Sequence, residues 1–254
     1  MGPMSAPPVT LYDLDAVIFD MDGVVTETAT VHAAAWKRLF DAYLEARADA
    51  TGEPFVPFDA AVDYERYVDG KNRYDGVRSF LASRRITLPE GTPDDPPGTG
   101  TVCAMGNGKD AYFLQHVREH GVRPYPSTVR IVRDLRSRGV AIGLVSASRN
   151  AEEVLTSAGV IDLFDQRVDG VVAAELDLTG KPDPATFLEA ARRLGVAPGR
   201  TAVVEDAISG VAAGRAGAFA LVVGIARAGQ GPALRDNGAD VVVTDLAELE
   251  TDSR

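Results

Sequence analysis

The sequence is poor in several residue types, and each shortage removes a class of protein. Cys103 is its one cysteine, so no internal disulfide can form, which fits a reducing, cytoplasmic setting. Basic residues are outnumbered, with 26 Lys and Arg against 37 Asp and Glu, for a formal net charge of -11. No basic stripe or aromatic-basic interleaving offsets that excess, which argues against nucleic-acid binding. An anionic substrate would need local help from a metal ion and a few Lys or Arg side chains. No apolar run approaches the length that spans a bilayer. The opening Met1-Gly2-Pro3-Met4-Ser5-Ala6 lacks the charged and apolar regions of a signal peptide, and Ala6 stands where a myristoylation signal requires Ser or Thr. A soluble cytoplasmic monomer is expected, with no membrane, nucleic-acid or protein partner.

What is present is the material of a globular core, since 45% of the 254 residues are hydrophobic. Short apolar runs recur at Ala16-Val17-Ile18-Phe19, Ala141 to Val145, Thr201 to Val204, Ala220 to Val223 and Val241 to Val243. They read as buried strands. Helical patterns lie between the later ones, over Pro126 to Arg138, Asn150 to Ala158, Pro184 to Leu194 and Ser209 to Ala216. Strand and helix alternate, which predicts an α/β fold with a parallel sheet and crossover helices.

The stretch from Thr28 to about Tyr125 breaks this rhythm and offers no convincing apolar strand. It reads as a mainly helical cap domain inserted after the first strand, with helices over Thr30 to Arg47, Val62 to Tyr67, Gly76 to Arg84 and Lys109 to Glu119. Two tracts, Thr51 to Asp59 and the Pro- and Gly-rich Pro89 to Gly108, read as loops that make the insert elaborated and mobile. The expected division is a catalytic core of residues 9–28 and 125–254, a cap of 29–124 and a flexible N-terminus of 1–8. No internal repeat is present.

Four motifs fall where the ends of the sheet's strands should converge. The first strand runs into Asp20-Met21-Asp22-Gly23-Val24, and the second into Ser146-Ala147-Ser148-Arg149-Asn150. Lys181-Pro182 follows Gly180, and Glu205-Asp206 follows Val203-Val204. Ligands of open α/β sheets bind just beyond such strand ends. Ionised carboxylates there are costly to bury unpaired, so they call for a cation, a proton or both. Together the motifs supply a nucleophilic carboxylate, a second carboxylate for proton transfer, a hydroxyl and an ammonium for an anion, and oxygen ligands for a hard cation. These are the parts of phosphoryl transfer through an aspartyl-phosphate.

On these residues the chain resembles the haloacid dehalogenase superfamily of phosphotransferases, and within it the β-phosphoglucomutase-like group. The Asp-x-Asp-Gly-Val pattern matches Asp20 to Val24, and the Ser, Lys and acidic motifs match Ser146, Lys181 and Glu205-Asp206. The resemblance implies a Rossmann-like core with an inserted helical cap, Asp20 as nucleophile and Asp22 as general acid/base. It also implies Mg²⁺ on the Asp20 carboxylate, the Asp22 main-chain carbonyl and Asp206, with Glu205 close by. Thr28, His32, Trp36 and Lys37 resemble the subgroup's sequence after its catalytic loop, as do Ser146 to Asn150. Gly70-Lys71-Asn72-Arg73 resembles the cap loop whose Arg grips the distal phosphate of a sugar bisphosphate.

The implied activity is interconversion of β-glucose 1-phosphate and glucose 6-phosphate, with β-glucose 1,6-bisphosphate as activating intermediate. Ser146, Ala147, Lys181, Arg73, Asn72, His32, Trp36, Arg149 and Asn150 are the candidate substrate and phosphate contacts. A phosphatase acting on a sugar phosphate or other small phosphate ester uses the same core residues and stands as the alternative. A dehalogenase would need neither Asp22 nor the Glu205-Asp206 pair, and a non-catalytic sugar-phosphate sensor would not need Asp20. Plainer readings stand beside several of these. His32 and Trp36 share a helix face, which suits core packing as well as substrate contact, and Ser146 could cap a helix. Gly106-Asn107-Gly108-Lys109 resembles a phosphate cradle only superficially. Any phosphate role there would fall to Lys109.

Overall fold

A computed structural model describes residues 9–227 and 229–252. The N-terminal expectation for residues 1–8 lies outside the described residues. Six parallel strands, β1 (Ala16–Asp20), β2 (Ala141–Val145), β3 (Gln166–Val168), β4 (Thr201–Glu205), β5 (Leu221–Ile225) and β6 (Val241–Val243), form one sheet in the order β3-β2-β1-β4-β5-β6. The chain enters at the central β1, works outward to β3, then returns to β4 on the other side of β1. That reversal leaves a crevice beyond the carboxyl end of β1, the ligand site of open α/β sheets.

Why these runs become strands follows from their burial. Every residue of β1, β4 and β5 is buried, as expected where helices cover both faces of a parallel sheet. Alternate residues of β1 enter opposite cores. Val17 and Phe19 pack with Ile142, Leu144 and Val204 on one face, while Ile18 joins Val145, Val203, Phe187 and Val211 on the other. The covering helices are α4 (Pro126–Ser137), α5 (Ala151–Ser157), α6 (Gly170–Glu175), α7 (Ala185–Leu194), α8 (Ile208–Ala216) and α9 (Gly231–Asp236). Strand β3 had no apolar run to announce it, because it is a three-residue edge strand with two half-exposed polar residues, Gln166 and Arg167.

Three long helices precede α4: α1 (Ala29–Thr51), α2 (Arg73–Ser83) and α3 (Val102–His120). They gather a separate aromatic core in which Trp36, Phe40, Phe58 and Phe80 pack with Met105. A π-helical turn at Tyr64–Val68 replaces the expected helix over Val62 to Tyr67.

The loop expected over Pro89 to Gly108 is corrected at its C-terminal end, because α3 already begins at Val102. Thr101 caps it by accepting from the Ala104 N–H at 3.0 Å. Gly106 and Gly108 sit inside the helix because neighbours crowd them. A Cβ at Gly106 would lie 2.7 Å from the Tyr74 ring, and one at Gly108 would lie 3.3 Å from Leu39. Among the described residues no helix is long and apolar enough to cross a membrane.

Candidate active site

The last residue of β1, Asp20, faces Lys181, whose Nζ donates to Asp20 Oδ1 at 2.5 Å and also to Glu205 Oε1. All three side chains are nearly or fully buried, with exposures of 2% for Lys181, 9% for Asp20 and 0% for Glu205. Glu205 ends β4, and its other oxygen accepts from the N–H groups of Asp206 and Ala207 at 2.9 and 3.0 Å. Gly210, in the first turn of α8, makes room for it, since a Cβ there would sit 1.8 Å from Glu205 Oε1. Gly23 does the same for Asp206. It adopts φ +85°, and its Cβ would fall 1.8 Å from Asp206 Oδ2.

Carboxylate oxygens of Asp20, Glu205 and Asp206 lie within 4.8 Å of one another. Burial, then the charge of Glu205, pushes the Asp20 carboxyl well up despite Lys181. Asp206 is driven up by burial and then by Asp69. Burial opposes the charge on Lys181, but Asp20 and Glu205 outweigh it and push its pKa up. One ammonium thus stands among several carboxylates, a donor set of hard oxygens with excess negative charge. It fits a divalent cation such as Mg²⁺.

Asp22 belongs to a second network. Its Oδ1 accepts from Thr28 Oγ1 and meets His32 Nε2 at 3.1 Å. On the far side of that ring, His32 Nδ1 meets Lys109 Nζ at 2.6 Å, and the ring stacks on Phe113 with centroids 4.0 Å apart. Burial lowers the Lys109 pKa to about 8, so near neutrality the ammonium donates to Nδ1. The proton on a neutral imidazole is then on Nε2 and points at Asp22. Burial and the Lys109 charge hold His32 below its usual range. Burial acts to raise Asp22, but His32 and Thr28 prevail and lower it.

Asp20 and Asp22 both open on a cavity of ≈ 250 Å³ between the strand ends and the α1–α3 helices. Ser146, Ala147 and Arg149, from the loop after β2, line it with Lys181 and Asp206. Ser146 is buried, and its Oγ accepts from the Ser148 N–H at 3.1 Å. His32, Trp36, Asn72 and Arg73 line the opposite wall. Trp36 is mostly packing, since it stacks on Phe40 and is buried. The Asn72 side chain caps α2, accepting from Tyr74 N and Asp75 N at 3.1 Å while its amide donates to Asp75. Arg73 donates to Asp110, whose other oxygen accepts from Asn150 Nδ2 at 2.8 Å. Glu205 is fully buried beneath the lining residues, and half-buried Asn150 joins the wall through Asp110 and Arg73.

Sequence reasoning passed over part of this site. Lys109 appeared only as the end of a weak glycine pattern, and nothing local tied it to His32, 77 residues away. Asp69 and Tyr64 also line the cavity. Burial, then Glu205, raises Asp69 to about 7. The Asp69-Gly70 dipeptide was the available signal, because Gly70 at φ +70° lets this loop touch α8. Its Cβ would lie 2.4 Å from Ser209 Oγ, and that hydroxyl donates to Asp69 O at 3.0 Å.

Known proteins resemble this chain in sequence and in fold. A family model described as haloacid dehalogenase-like hydrolase matches residues 14–217. A β-phosphoglucomutase from Mycobacterium bovis is 53% identical over 237 residues, spanning 92% of this chain and 90% of that protein. A Bacillus subtilis β-phosphoglucomutase is 32% identical over 241 residues, 93% of this chain and 92% of the relative. Among solved structures, β-phosphoglucomutase from Clostridium difficile superposes with a TM-score of 0.72 at 27% identity, covering 93% of each chain.

Proposed function

The chain belongs to the haloacid dehalogenase-like hydrolase family, and from that premise we propose that it is a Mg²⁺-dependent β-phosphoglucomutase interconverting β-glucose 1-phosphate and glucose 6-phosphate. The observation that carries this reading is the shared cavity of two differently tuned carboxylates. Asp20 is paired with an ammonium and grouped with Glu205 and Asp206, while Asp22 is held as a charged acceptor by Thr28 and His32. Carboxylates whose environments push their pKa values apart mark separate roles. The likeness to β-phosphoglucomutases supplies the substrate.

In this reading an Asp20 oxygen bonds to phosphorus as the bond to the sugar oxygen breaks, and the phosphoryl group later passes to a sugar hydroxyl. Asp22 takes the proton of that hydroxyl and returns a proton to the departing sugar oxygen in the other half-reaction. Thr28 and the Lys109-His32 pair fix its orientation. Mg²⁺ held by Asp20, the Asp22 carbonyl and Asp206, with Glu205 close by, would offset repulsion between carboxylate and phosphate. Ser146 and the N–H groups of its loop serve the reacting phosphate, and Arg73 and Arg149 serve the distal one. Residues 29–124 act as a cap over a core of 9–28 and 125–254, and closure shields the phosphoenzyme from water.

Time-resolved ³¹P NMR with Mg²⁺, a trace of β-glucose 1,6-bisphosphate and either anomer of glucose 1-phosphate tests the reading. Glucose 6-phosphate should form from the β anomer alone, with little inorganic phosphate. Predominant release of inorganic phosphate would instead make the protein a phosphatase.

A further inference from the structure

Asp110 has no part in the chemistry above, yet it joins three elements. It lies on α3, one residue past Lys109. Its Oδ2 accepts from Nη1 of Arg73, the first residue of α2, and its Oδ1 accepts from Asn150 Nδ2, just before α5, at 2.8 Å. The Arg73 and Asp110 side chains are 19% and 18% exposed, so the pair is largely sheltered from the solvent screening that weakens surface ion pairs.

A side chain with only acceptors matches both donors as they stand. An amide at position 110 could accept from Arg73 but would then turn its own NH₂ toward that of Asn150, two donors face to face. The Arg73 Nε is buried with no protein acceptor. Such a donor is costly unless an acceptor reaches it. Asp110 thus ties one edge of the guanidinium and leaves Nε on another.

The geometry points to Asp110 as a positioning residue that locks Arg73 to Asn150 across the seam between the α1–α3 helices and the sheet layer, presetting them as one site for the second phosphate of a sugar bisphosphate. The inference rests on the mutase reading for the identity of that ligand. Its physical basis is preorganisation, because a long cationic side chain fixed beforehand loses less rotamer freedom when the anion arrives. The adjacent Lys109 meets His32, so consecutive residues of α3 serve the proton-transfer end and the distal anion end of one cavity.

The test is calorimetric titration in an Asp20→Asn background, where no phosphoryl group can move, using β-glucose 1,6-bisphosphate and, separately, inorganic phosphate. Asp110→Ala should weaken bisphosphate binding about tenfold, roughly 1.4 kcal/mol, and change phosphate binding less than about twofold. Asp110→Asn, which keeps the volume, should show an intermediate loss and guards against misfolding of the alanine variant. Adding Asp110→Ala to Arg73→Ala should cost nothing further, because the residue acts through Arg73.

Equal losses for both ligands, or additive losses in the double variant, would overturn the inference. So would bisphosphate binding no tighter than inorganic phosphate with Asp110 intact. Failure of the mutase reading shows elsewhere, as absence of glucose 6-phosphate formation by the unmodified protein.

Discussion

Lys181 is the residue on which the electrostatics of the site turn. Its ammonium offsets two carboxylates, Asp20 and Glu205, where all three side chains are largely withdrawn from solvent. Breaking a buried ion pair by removing one partner typically costs about 3–5 kcal/mol, since the survivor is left uncompensated. Lys181→Met, similar in length and uncharged, should therefore lower the free energy of unfolding in urea by that order. Lys109 behaves oppositely. Its pKa falls from 10.5 to about 8 in the fold, so between those values the unfolded chain binds more protons and stability rises with pH. Lys109→Met lacks this dependence. The stability of the unmodified protein relative to this variant should improve by on the order of 3 kcal/mol from pH 8 to above pH 10.5. A difference that stays flat over that range, read by denaturant melts at each pH, would count against a Lys109 pKa lowered by burial.

Among the elements, the loop from Asp69 to Asn72 decides how closely the helical insert meets the sheet layer. Gly70 has a left-handed backbone, and its missing Cβ leaves room for Ser209 and Ala207. Gly70→Ala would introduce a left-handed alanine, at about 1 kcal/mol, and push the loop off α8. Under the proposed mutase activity, turnover of glucose phosphate should fall at least tenfold in kcat/KM, while the unfolding midpoint moves by only a few degrees. Equal kcat/KM would show that this contact does not matter for closure. The same loop shows how element-level reading can mislead. Asn72 beside Arg73 looked like a second phosphate contact, but its side-chain oxygen serves the N-terminus of α2. Likewise, Gly106 and Gly108 were read as loop because glycine disfavours helix, whereas packing against Tyr74 and Leu39 overrides that preference.

For the whole molecule, the placement of Asp20, Glu205 and Asp206 at one point of the sheet stores a repulsion that a divalent cation would relieve. Ligand binding to the native state alone stabilises by about 2.7 kcal/mol at a hundredfold excess over Kd. Added Mg²⁺ should raise the thermal midpoint by several degrees, with EDTA reversing the shift and Asp206→Asn abolishing it. An Mg²⁺-independent midpoint would remove the cation from this cluster. The topology explains why the acids meet. β1 and β4 are neighbours, so their last residues, Asp20 and Glu205, stand side by side beyond the same edge although most of the chain separates them.

The sequence by itself determined the parallel α/β core, because strands buried on both faces must be continuous apolar runs. It also pointed to Asp20, Asp22, Ser146, Glu205 and Asp206, which end or directly follow apolar strands, and to Lys181 through its motif alone, since that residue lies in the loop between α6 and α7. The polar edge strand β3 escaped it for want of a hydrophobic signature, and the start of α3 because Gly106 and Gly108 disguise the apolar run Val102 to Met105 as loop. Tertiary structure alone decided which distant groups face one another: Lys109 against His32, Asp110 between Arg73 and Asn150, and Asp69 over the acidic cluster. The Asp110 and Asp69 pairings depend on how two separately packed apolar layers meet, and that of Lys109 with His32 on how α1 and α3 pack within one of them. Hydrophobic periodicity within either layer does not encode the surface they share.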